Sequence, residues 1–367
     1  MNESKNESNT EEILNLLFSY MPKIAEERKM DGLLILMADL GRSLVGADRC
    51  SLWLIDENKG EMWTKVAHGV DELRIPMNLG FVGHTVKTGE SLCIKDAYKD
   101  SRFDSRSDQK TTYHTQSVLT VPLKNSEGAI IGVFQAINKK NPPYYFSPKD
   151  VEYLSLTAVY SGKTLESALL TKELEDTQAE ILNILGEVSE HRSKETADHV
   201  TRVAASCYKM ACYLGLSEYE ANQIRLAAPL HDLGKVAIPD AILQKTGKFT
   251  PDEYEVMKTH TVMGHHLLKS SSRKLLQLAA EMAIGHHEHW DGSGYPKGLS
   301  GENIPLSSRI CAVVDVFDAL SSARCYKEAW SEEMVKDFFI KQKDHQFQKE
   351  LIDILLLHWD DFISEYK

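Results

Sequence analysis

Histidines and carboxylates gather in the second half of the chain in arrangements that suit metal binding. Glu195 and His199 are four residues apart, so on a helix their side chains face the same side. Imidazole and carboxylate are ligands for zinc, manganese and iron, and no cysteine motif accompanies them to indicate a structural zinc. The candidate ligands are Glu195, His199, His231, Asp232, His260, His286, His287 and Asp315.

The His231–Asp232 pair has a geometry of its own. We expect it to end a helix, with Gly234 as the stop signal. Adjacent residues on a helix point about 100° apart. The pair can therefore serve two metal ions or approach one ion from two directions, and only the carboxylate can bridge two ions. Asp318, one turn beyond Asp315, is a candidate to orient a ligand or Arg309.

Composition narrows the class of protein. A chain of 367 residues is long for one core, so we expect two domains, and 42% hydrophobic with 26% charged residues is typical of a globular protein. The net charge is -12 without a basic block, which argues against duplex nucleic acid as a partner. The six cysteines form no CxxC pair, the N-terminus lacks the pattern of a signal peptide, and no apolar run reaches the ~18 residues of a membrane span. We therefore expect a cytoplasmic protein with no membrane partner.

The first half of the chain is predicted to contain β-strands between helices. After a polar leader at 1–10, residues 11–46 are helical, with Pro22 as a kink or break. Two hairpins follow, with turns at 57–60 and 125–128, and an irregular middle separates them. This order predicts an antiparallel sheet with helices on one face.

A long helix is predicted over 147–189, with Ser147 as its N-cap. Its apolar positions repeat with the spacing of a coiled-coil seam, which predicts a parallel dimer; burial of the helix within one chain is the alternative. The seam residues are Leu154, Ala158, Ser161, Leu165, Ala168, Leu174, Gln178, Ile181, Leu185 and Val188.

The first half resembles a GAF domain over roughly 30–170. The resemblance rests on the segment NLGFVGHTVKTGE, on DSRFD at 100–104 and on the strand GVFQAINKKN. Some GAF domains carry an Asn-Lys-Phe-Asp-Glu signature. Asn138, Lys139, Phe146 and Asp150 follow that pattern here, but Val151 takes the last place, so we predict a structural role rather than cyclic-nucleotide binding. The resemblance implies a sensor whose ligand is unknown.

The second half resembles the HD-GYP phosphodiesterases of bacterial cyclic di-GMP signalling, within the HD superfamily of metal-dependent phosphohydrolases. Three ordered blocks carry the resemblance over about 190–365: one begins at His231, one contains the Gly-Tyr-Pro motif at 294–296, and one begins at Arg309. The implied architecture is an α+β GAF domain, with an antiparallel sheet and helices, joined by a long helix to an all-α HD-GYP bundle. The expected boundaries are 1–29 for a leader and helix, 30–146 for the GAF domain, 147–189 for the connecting helix and 190–367 for the HD-GYP domain.

The resemblance also implies roles for the site residues. Lys235 would stabilise the phosphate and act with Asp232 in catalysis, Tyr295 would stack on guanine, and Arg324 and Lys327 would pair with the second phosphate or a guanine edge. Two or three divalent ions are implied, with iron favoured and manganese second. The implied core ligands are His231, Asp232, His260, His286, His287 and Asp315, with Asp232 bridging, His199 as a further ligand and Glu195 completing a third site.

The implied activity is hydrolysis of cyclic di-GMP to pGpG, GMP or both, by attack of a metal-bridging hydroxide on phosphorus, under control of the GAF domain. Another cyclic dinucleotide in the same site, such as cyclic GMP-AMP, is an alternative. A different class of protein is a non-catalytic receptor that binds cyclic di-GMP and signals to partner proteins through the GYP loop. The filled ligand positions and Lys235 favour the enzyme.

Overall fold

The computed structural model describes residues 2–27, 29–65, 72–111, 113–193, 197–322 and 329–366. The chain divides into two compact units, Met1–Glu173 and Leu174–Lys367. The elements of the first unit are α1 Asn2–Glu26, α2 Met30–Val45, β1 Ala47–Asp56, β2 Glu61–Thr64, β3 Leu73–Pro76, α3 Gly80–Thr88, β4 Leu92–Ile94, α4 Arg106–Thr111, β5 Val118–Lys124 and β6 Ile130–Lys139. Helix α5, Pro148–Arg192, follows and continues into the second unit.

The first unit is built on a six-stranded antiparallel sheet with strand order β3-β2-β1-β6-β5-β4. The two predicted hairpins are present as β1–β2 and β5–β6, and Gly60 and Gly128 take φ values of 64° and 84° in their turns. Successive residues on a strand face opposite sides of a sheet. Phe134 accordingly packs with residues of α1, α2 and α5, whereas Val133 packs with α3 on the other face. The prediction that all helices lie on one face is therefore wrong for α3.

Two other predictions for this unit are corrected. The middle that was expected to be irregular contains β3, α3, β4 and α4, because its short strands extend both edges of the sheet. The predicted leader is also helical, since α1 begins at Asn2. Pro22 lies inside α1 and does not end it.

The GAF-signature residues hold the end of the sheet to the helices beside it. Lys139 Nζ donates to Asp150 Oδ1 at 2.6 Å and to the Val45 carbonyl at 2.7 Å. Asn138 Oδ1 accepts from the backbone N–H groups of Gln116 and Ser117, and Phe146 is buried. These contacts confirm the predicted structural role.

Helix α5 begins at the predicted N-cap, where Ser147 Oγ accepts from the Asp150 N–H. The first part of the predicted seam is wrong. Leu154, Ala158, Ser161 and Leu165 are buried in the first unit, because that face of the helix packs on the sheet. The later apolar seam positions Leu174, Ile181, Leu185 and Val188 are exposed, and so is Ile184, which was not part of the predicted seam.

The second unit is helical. Its helices are α6 Ala197–Tyr213, α7 Glu218–Ala227, α8 Asp240–Leu243, α9 Pro251–Leu268, α10 Lys274–Gly285, α11 Leu306–Ser321, α12 Glu332–Lys341, α13 Lys349–Leu357 and α14 Trp359–Ile363. Capping boxes at Ser217/Glu220 and Thr250/Glu253 fix the starts of α7 and α9. Phe317 of α11 lies in the core between the rings of Phe339 and Phe362. In the part of the chain that is described, none of the helices has both the length and the apolar content needed to cross a bilayer.

Candidate metal centre

Four helices and one bend bring the candidate ligands together. His199 lies on α6, His260 on α9 and Asp315 on α11, while His286 and His287 directly follow α10. The His231–Asp232 pair lies between two 3-10 turns, Ala228–Leu230 and Leu233–Ala237. The pair was predicted to end a helix, but α7 ends at Ala227. The tighter turns that follow carry both side chains inward, and both are buried.

Gly234 allows this bend to approach α9. A Cβ atom at this position would lie 1.8 Å from the His260 carbonyl oxygen and 2.5 Å from the Gly264 nitrogen. Real Cβ atoms do not come so close to backbone, so only glycine fits here. Gly234 was predicted as a helix stop signal; its observed role is close packing that places Asp232 beside His260.

The first group of ligand-type side chains surrounds Asp232. Its Oδ1 atom lies 3.1 Å from His260 Nε2 and 3.5 Å from His286 Nε2. The His287 ring lies 4.1 Å from the His286 ring, centroid to centroid. One ligand atom from each of Asp232, His260, His286 and His287 falls within 4.8 Å of the others, which is close enough for one metal ion.

A second group lies on the other side of Asp232. His199, His231 and Glu190 offer ligand atoms within 4.8 Å of one another. Asp315 Oδ1 lies 3.7 Å from His199 Nε2 and 3.9 Å from His231 Nε2. Asp232 Oδ2 lies 3.3 Å from His231 Nε2, so the two oxygens of Asp232 face the two groups. This is the arrangement in which a carboxylate can bridge two ions.

Four of the histidine rings are each oriented by a contact at one ring nitrogen, which leaves the other ring nitrogen facing the centre. Nδ1 contacts the Ala228 carbonyl in His231, the Met257 carbonyl in His260, and two carbonyls of α10 in His286. In His199 it contacts Asp318 Oδ2 at 2.7 Å. Metal-binding histidines are usually oriented in this way by a partner on the second ring nitrogen.

The electrostatics also suit a divalent metal. Burial lowers the pKa of His287 well below its usual 6.5 and lowers that of His286 too, so both rings are neutral near pH 7. Burial acts to raise the pKa of Asp232, but Lys235 and His231 hold it well below 3.8. His231 Nε2 and Asp232 Oδ1 are buried and have no hydrogen-bond partner among the described residues. Burial acts to lower the pKa of His231, but nearby Cys311, Asp232 and Asp315 raise it well above 6.5, so a metal ion would bind His231 by displacing its proton.

Lys235 lies against this centre between two carboxylates. Its Nζ is 2.8 Å from Asp232 Oδ2 and 3.0 Å from Glu190 Oε2. Glu190 was not among the sequence-predicted residues. It shares a helical face with the buried Leu182 and Gly186, and that spacing was the available signal that an acidic residue points inward.

Tyr295 closes the centre on the side of His287. Its ring lies 4.8 Å from the His287 ring, and its N–H donates to the His287 carbonyl. Gly294 permits this approach, because a Cβ atom there would lie 2.5 Å from the same carbonyl oxygen. Burial raises the pKa of Tyr295, so it remains a neutral phenol. An uncharged ring beside a metal centre suits contact with a nucleobase.

Some predicted residues are placed differently or cannot be located. Asp318 contacts His199, as expected of a residue that orients a ligand, and it does not contact Arg309. Glu195, Arg324 and Lys327 lie outside the described residues.

Comparison with known protein families identifies both halves. Residues 30–165 match the model of the GAF domain, and residues 180–349 match the model of the HD domain. The HD domain implies divalent metal binding, in agreement with the two groups of ligand-type side chains.

Three relatives match part of the chain. A 3'3'-cGAMP-specific phosphodiesterase 2 from Vibrio cholerae is 45% identical over 218 residues, which cover 59% of this chain and 42% of the relative. A cyclic di-GMP phosphodiesterase response regulator from Xanthomonas campestris is 46% identical over 195 residues, covering 53% of this chain and 52% of the relative. A cyclic di-GMP phosphodiesterase from Thermotoga maritima is 50% identical over 155 residues, covering 42% of each.

The chain thus spans about half the length of the relatives it matches. The sheet of the first unit, the helical second unit and the two family matches lead to the same assignment. The chain therefore contains a GAF domain over residues 30–165, followed by an HD domain over residues 180–349.

Proposed function

We propose that the HD domain is a metal-dependent phosphodiesterase that hydrolyses a cyclic dinucleotide. The observation that carries the proposal is the orientation of four imidazoles. His199, His231, His260 and His286 are each held through Nδ1, and their Nε2 atoms converge on Asp232 and Asp315. A closed structural site would need four ligands around one ion, whereas this centre offers more ligands than one ion uses.

The proposed metal ligands fall into two sets that share Asp232. His260, His286 and His287 belong to one set, and His199, His231 and Asp315 to the other. Glu195 remains a proposed ligand of a third ion. When bound, the divalent ions neutralise phosphate charge and lower the pKa of coordinated water. Iron is favoured and manganese is second, because sites of imidazole and carboxylate without thiolate accept both.

The chain's own residues would bind and orient the substrate. Lys235, with its ammonium group beside Asp232, is proposed to stabilise charge on the reacting phosphate. Tyr295 is proposed to stack on a base, and Arg324 and Lys327 to pair with the second phosphate or a guanine edge. Asp232 and Lys235 are the residues we expect to matter most for turnover.

Cyclic di-GMP is the first proposed substrate, with pGpG, GMP or both as products. Cyclic GMP-AMP is the second candidate, and the similarity to a 3'3'-cGAMP-specific phosphodiesterase supports it. The test is an anaerobic hydrolysis assay with both dinucleotides, with metal content measured on the same sample and Asp232→Ala as the control. Turnover that scales with two or three ions per chain and is lost in the variant supports the enzyme. Fully metallated protein that binds without cutting would support the receptor that signals to partner proteins through the GYP loop.

We also propose regulation by the GAF domain. A cavity of about 390 Å³ in this domain is lined by both apolar and charged groups, among them Arg42, Trp53, Phe81, Tyr113 and Gln135. It supports a small-molecule ligand of unknown identity.

A homodimer through α5 is proposed on the exposed stripe, which we define as Leu174, Ile181, Ile184 and Val188. These residues follow heptad spacing and are 49–69% exposed, so a second copy of the helix would bury them.

Cytoplasmic location remains part of the proposal. The described cysteines are free thiols, as is usual in that compartment, and cell fractionation tests it.

A further inference from the structure

Glu190 is a buried carboxylate for which the proposed reaction has no role. It lies in the last turns of α5 and is 1% exposed. A buried carboxylate without a cation or hydrogen-bond donor costs several kcal/mol in general. Its carboxylate accepts hydrogen bonds from Lys235 Nζ, at 3.0 and 3.3 Å, and from Ser193 Oγ, at 2.9 Å. Glu190 therefore pairs with Lys235, the cation that we propose to stabilise charge on the phosphate.

We propose that Glu190 is a positioning residue that holds the Lys235 ammonium group at the metal centre. The inference rests on the proposed function, because Lys235 matters there as the partner of the phosphate. Lys235 also pairs with Asp232 Oδ2 at 2.8 Å. Asp232 is also a proposed metal ligand, and a metal ion bound to it would compete with Lys235 for the same carboxylate. Glu190 is the second carboxylate that keeps the ammonium group in place.

The backbone around Lys235 is held by the same end of α5. Ser189 Oγ donates to the Asp232 carbonyl at 2.8 Å, and this contact is buried. The Arg192 guanidinium donates to the carbonyls of Lys235 and Ile238, at 3.3 and 3.1 Å. The end of α5 thus fixes both the main chain of the Asp232–Ile238 segment and, through Glu190, the Lys235 side chain. A positioning residue needs such a rigid base.

A different role for Glu190 would be metal ligation, because its carboxylate lies within 4.8 Å of the ligand atoms of His199 and His231. Removing the charge of Glu190 would have different effects in the two roles. Loss of a ligand lowers metal content, whereas loss of a positioning contact leaves the metals bound and frees the lysine.

The experiment compares wild type with Glu190→Gln, and uses Glu180→Gln, an exposed position on the same helix, as the matched control. Metal content is measured first. Acylation of Lys235 by an amine-reactive ester is then followed by mass spectrometry of the metal-loaded protein. We expect full metal content in Glu190→Gln and acylation of Lys235 several times faster than in wild type and in Glu180→Gln. Loss of an ion, or unchanged acylation, would overturn the proposal.

Kinetics give the second readout. We expect Glu190→Gln to lower kcat by about tenfold, the size of a lost hydrogen bond to a charged group, with little change in KM. In a Lys235→Met background the same change should have no further effect, because the two residues act as a unit. An equal loss in that background would contradict the positioning role. If wild type cuts neither dinucleotide but the acylation difference persists, the pairing stands and only the proposed function fails.

Discussion

Asp318 Oδ2 lies 2.7 Å from Nδ1 of His199, and both side chains are buried. Arg202 and the Tyr366 hydroxyl also donate to Asp318, so the carboxylate that orients His199 is itself held. Burial acts to raise the pKa of Asp318, but the hydrogen bonds with His199 and Arg202 lower it to about 2. The carboxylate is therefore ionised near neutral pH, where it favours the tautomer of His199 that carries the proton on Nδ1.

Asp318→Asn should weaken metal binding on the His199 side. An amide can present its NH₂ group to Nδ1 and favour the wrong tautomer, and changes of this kind typically cost about 10–100-fold in metal affinity or activity. Metal titration monitored by calorimetry or by metal content measures the effect. Asp360→Asn, at an exposed position on α14, is the control. Unchanged affinity in Asp318→Asn would mean that His199 does not bind metal.

Removal of metal should lower the stability of the protein. An ion that binds only the folded state, at 100 times its dissociation constant, adds about 2.7 kcal/mol to the free energy of unfolding. Thermal unfolding with and without chelator therefore should give a lower Tm for the metal-free form, and added metal should restore it. Asp232→Ala should respond much less to added metal. Equal Tm values for metal-loaded and metal-free wild type would argue against the centre.

Gly186→Ala should destabilise the contact between α5 and the turn before His231. A Cβ atom at position 186 would lie 2.4 Å from the Pro229 carbonyl oxygen, which is backbone and cannot rotate away. Alanine gains about 1 kcal/mol over glycine in a helix, but overpacking costs about 1–3 kcal/mol, so we expect a net loss of up to about 2 kcal/mol. Urea unfolding measures it. Gly247→Ala has open space around the new methyl group and should change stability by less than about 0.5 kcal/mol.

Ile181→Asp should break the proposed dimer. The change places a charge in the centre of the exposed stripe, where a second copy would otherwise bury apolar side chains. Sedimentation or light scattering should show wild-type dimers and variant monomers. Leu357→Asp introduces the same charge at a position on α13 that is 77% exposed, and should leave the dimer intact. Monomeric wild-type protein at all concentrations would contradict the dimer.

Cys50 should resist alkylation far above neutral pH. Burial raises its pKa to about 12, so the reactive thiolate is scarce below that pH. Since the pKa is higher in the folded state than in the unfolded state, Cys50 contributes stability below about pH 9, and that contribution is lost as the pH rises towards 12. Alkylation of native protein at pH 8, read by mass spectrometry, should modify the exposed Cys212 and leave Cys50 intact until urea is added. Wild type should also lose stability more steeply than Cys50→Ala above pH 9. Rapid modification of Cys50 in native protein would contradict this.

The candidate site was largely predictable because its residue types are chemically distinctive. His231, Asp232, His260, His286 and Asp315 stand out as ligands in the sequence, and the fold brings all five to one centre. Glu190 was not predictable by the same reasoning. It is one of many glutamates on a long helix, and its link to Lys235 joins residues 45 positions apart.

Helix α5 shows a second limit of prediction from the sequence. Periodicity correctly predicts a helix with apolar faces, but it cannot say what covers each face. Leu154 and Leu165 have the same spacing as a dimer seam, yet they pack on the sheet of their own domain. The strand β3 and helix α4 were missed because four to six residues are too few for a clear period.

The absent side chain of Gly234 sets a limit on the size of the metal centre. The bend that carries Asp232 can come as near to α9 as it does only while position 234 holds a hydrogen atom. The separation of Asp232 and His260, two of the proposed ligands, thus depends on a residue that has no ligand atom. A change at this position would move Asp232 away from His260 without altering any donor atom, and we expect it to shift the proposed centre towards larger ions.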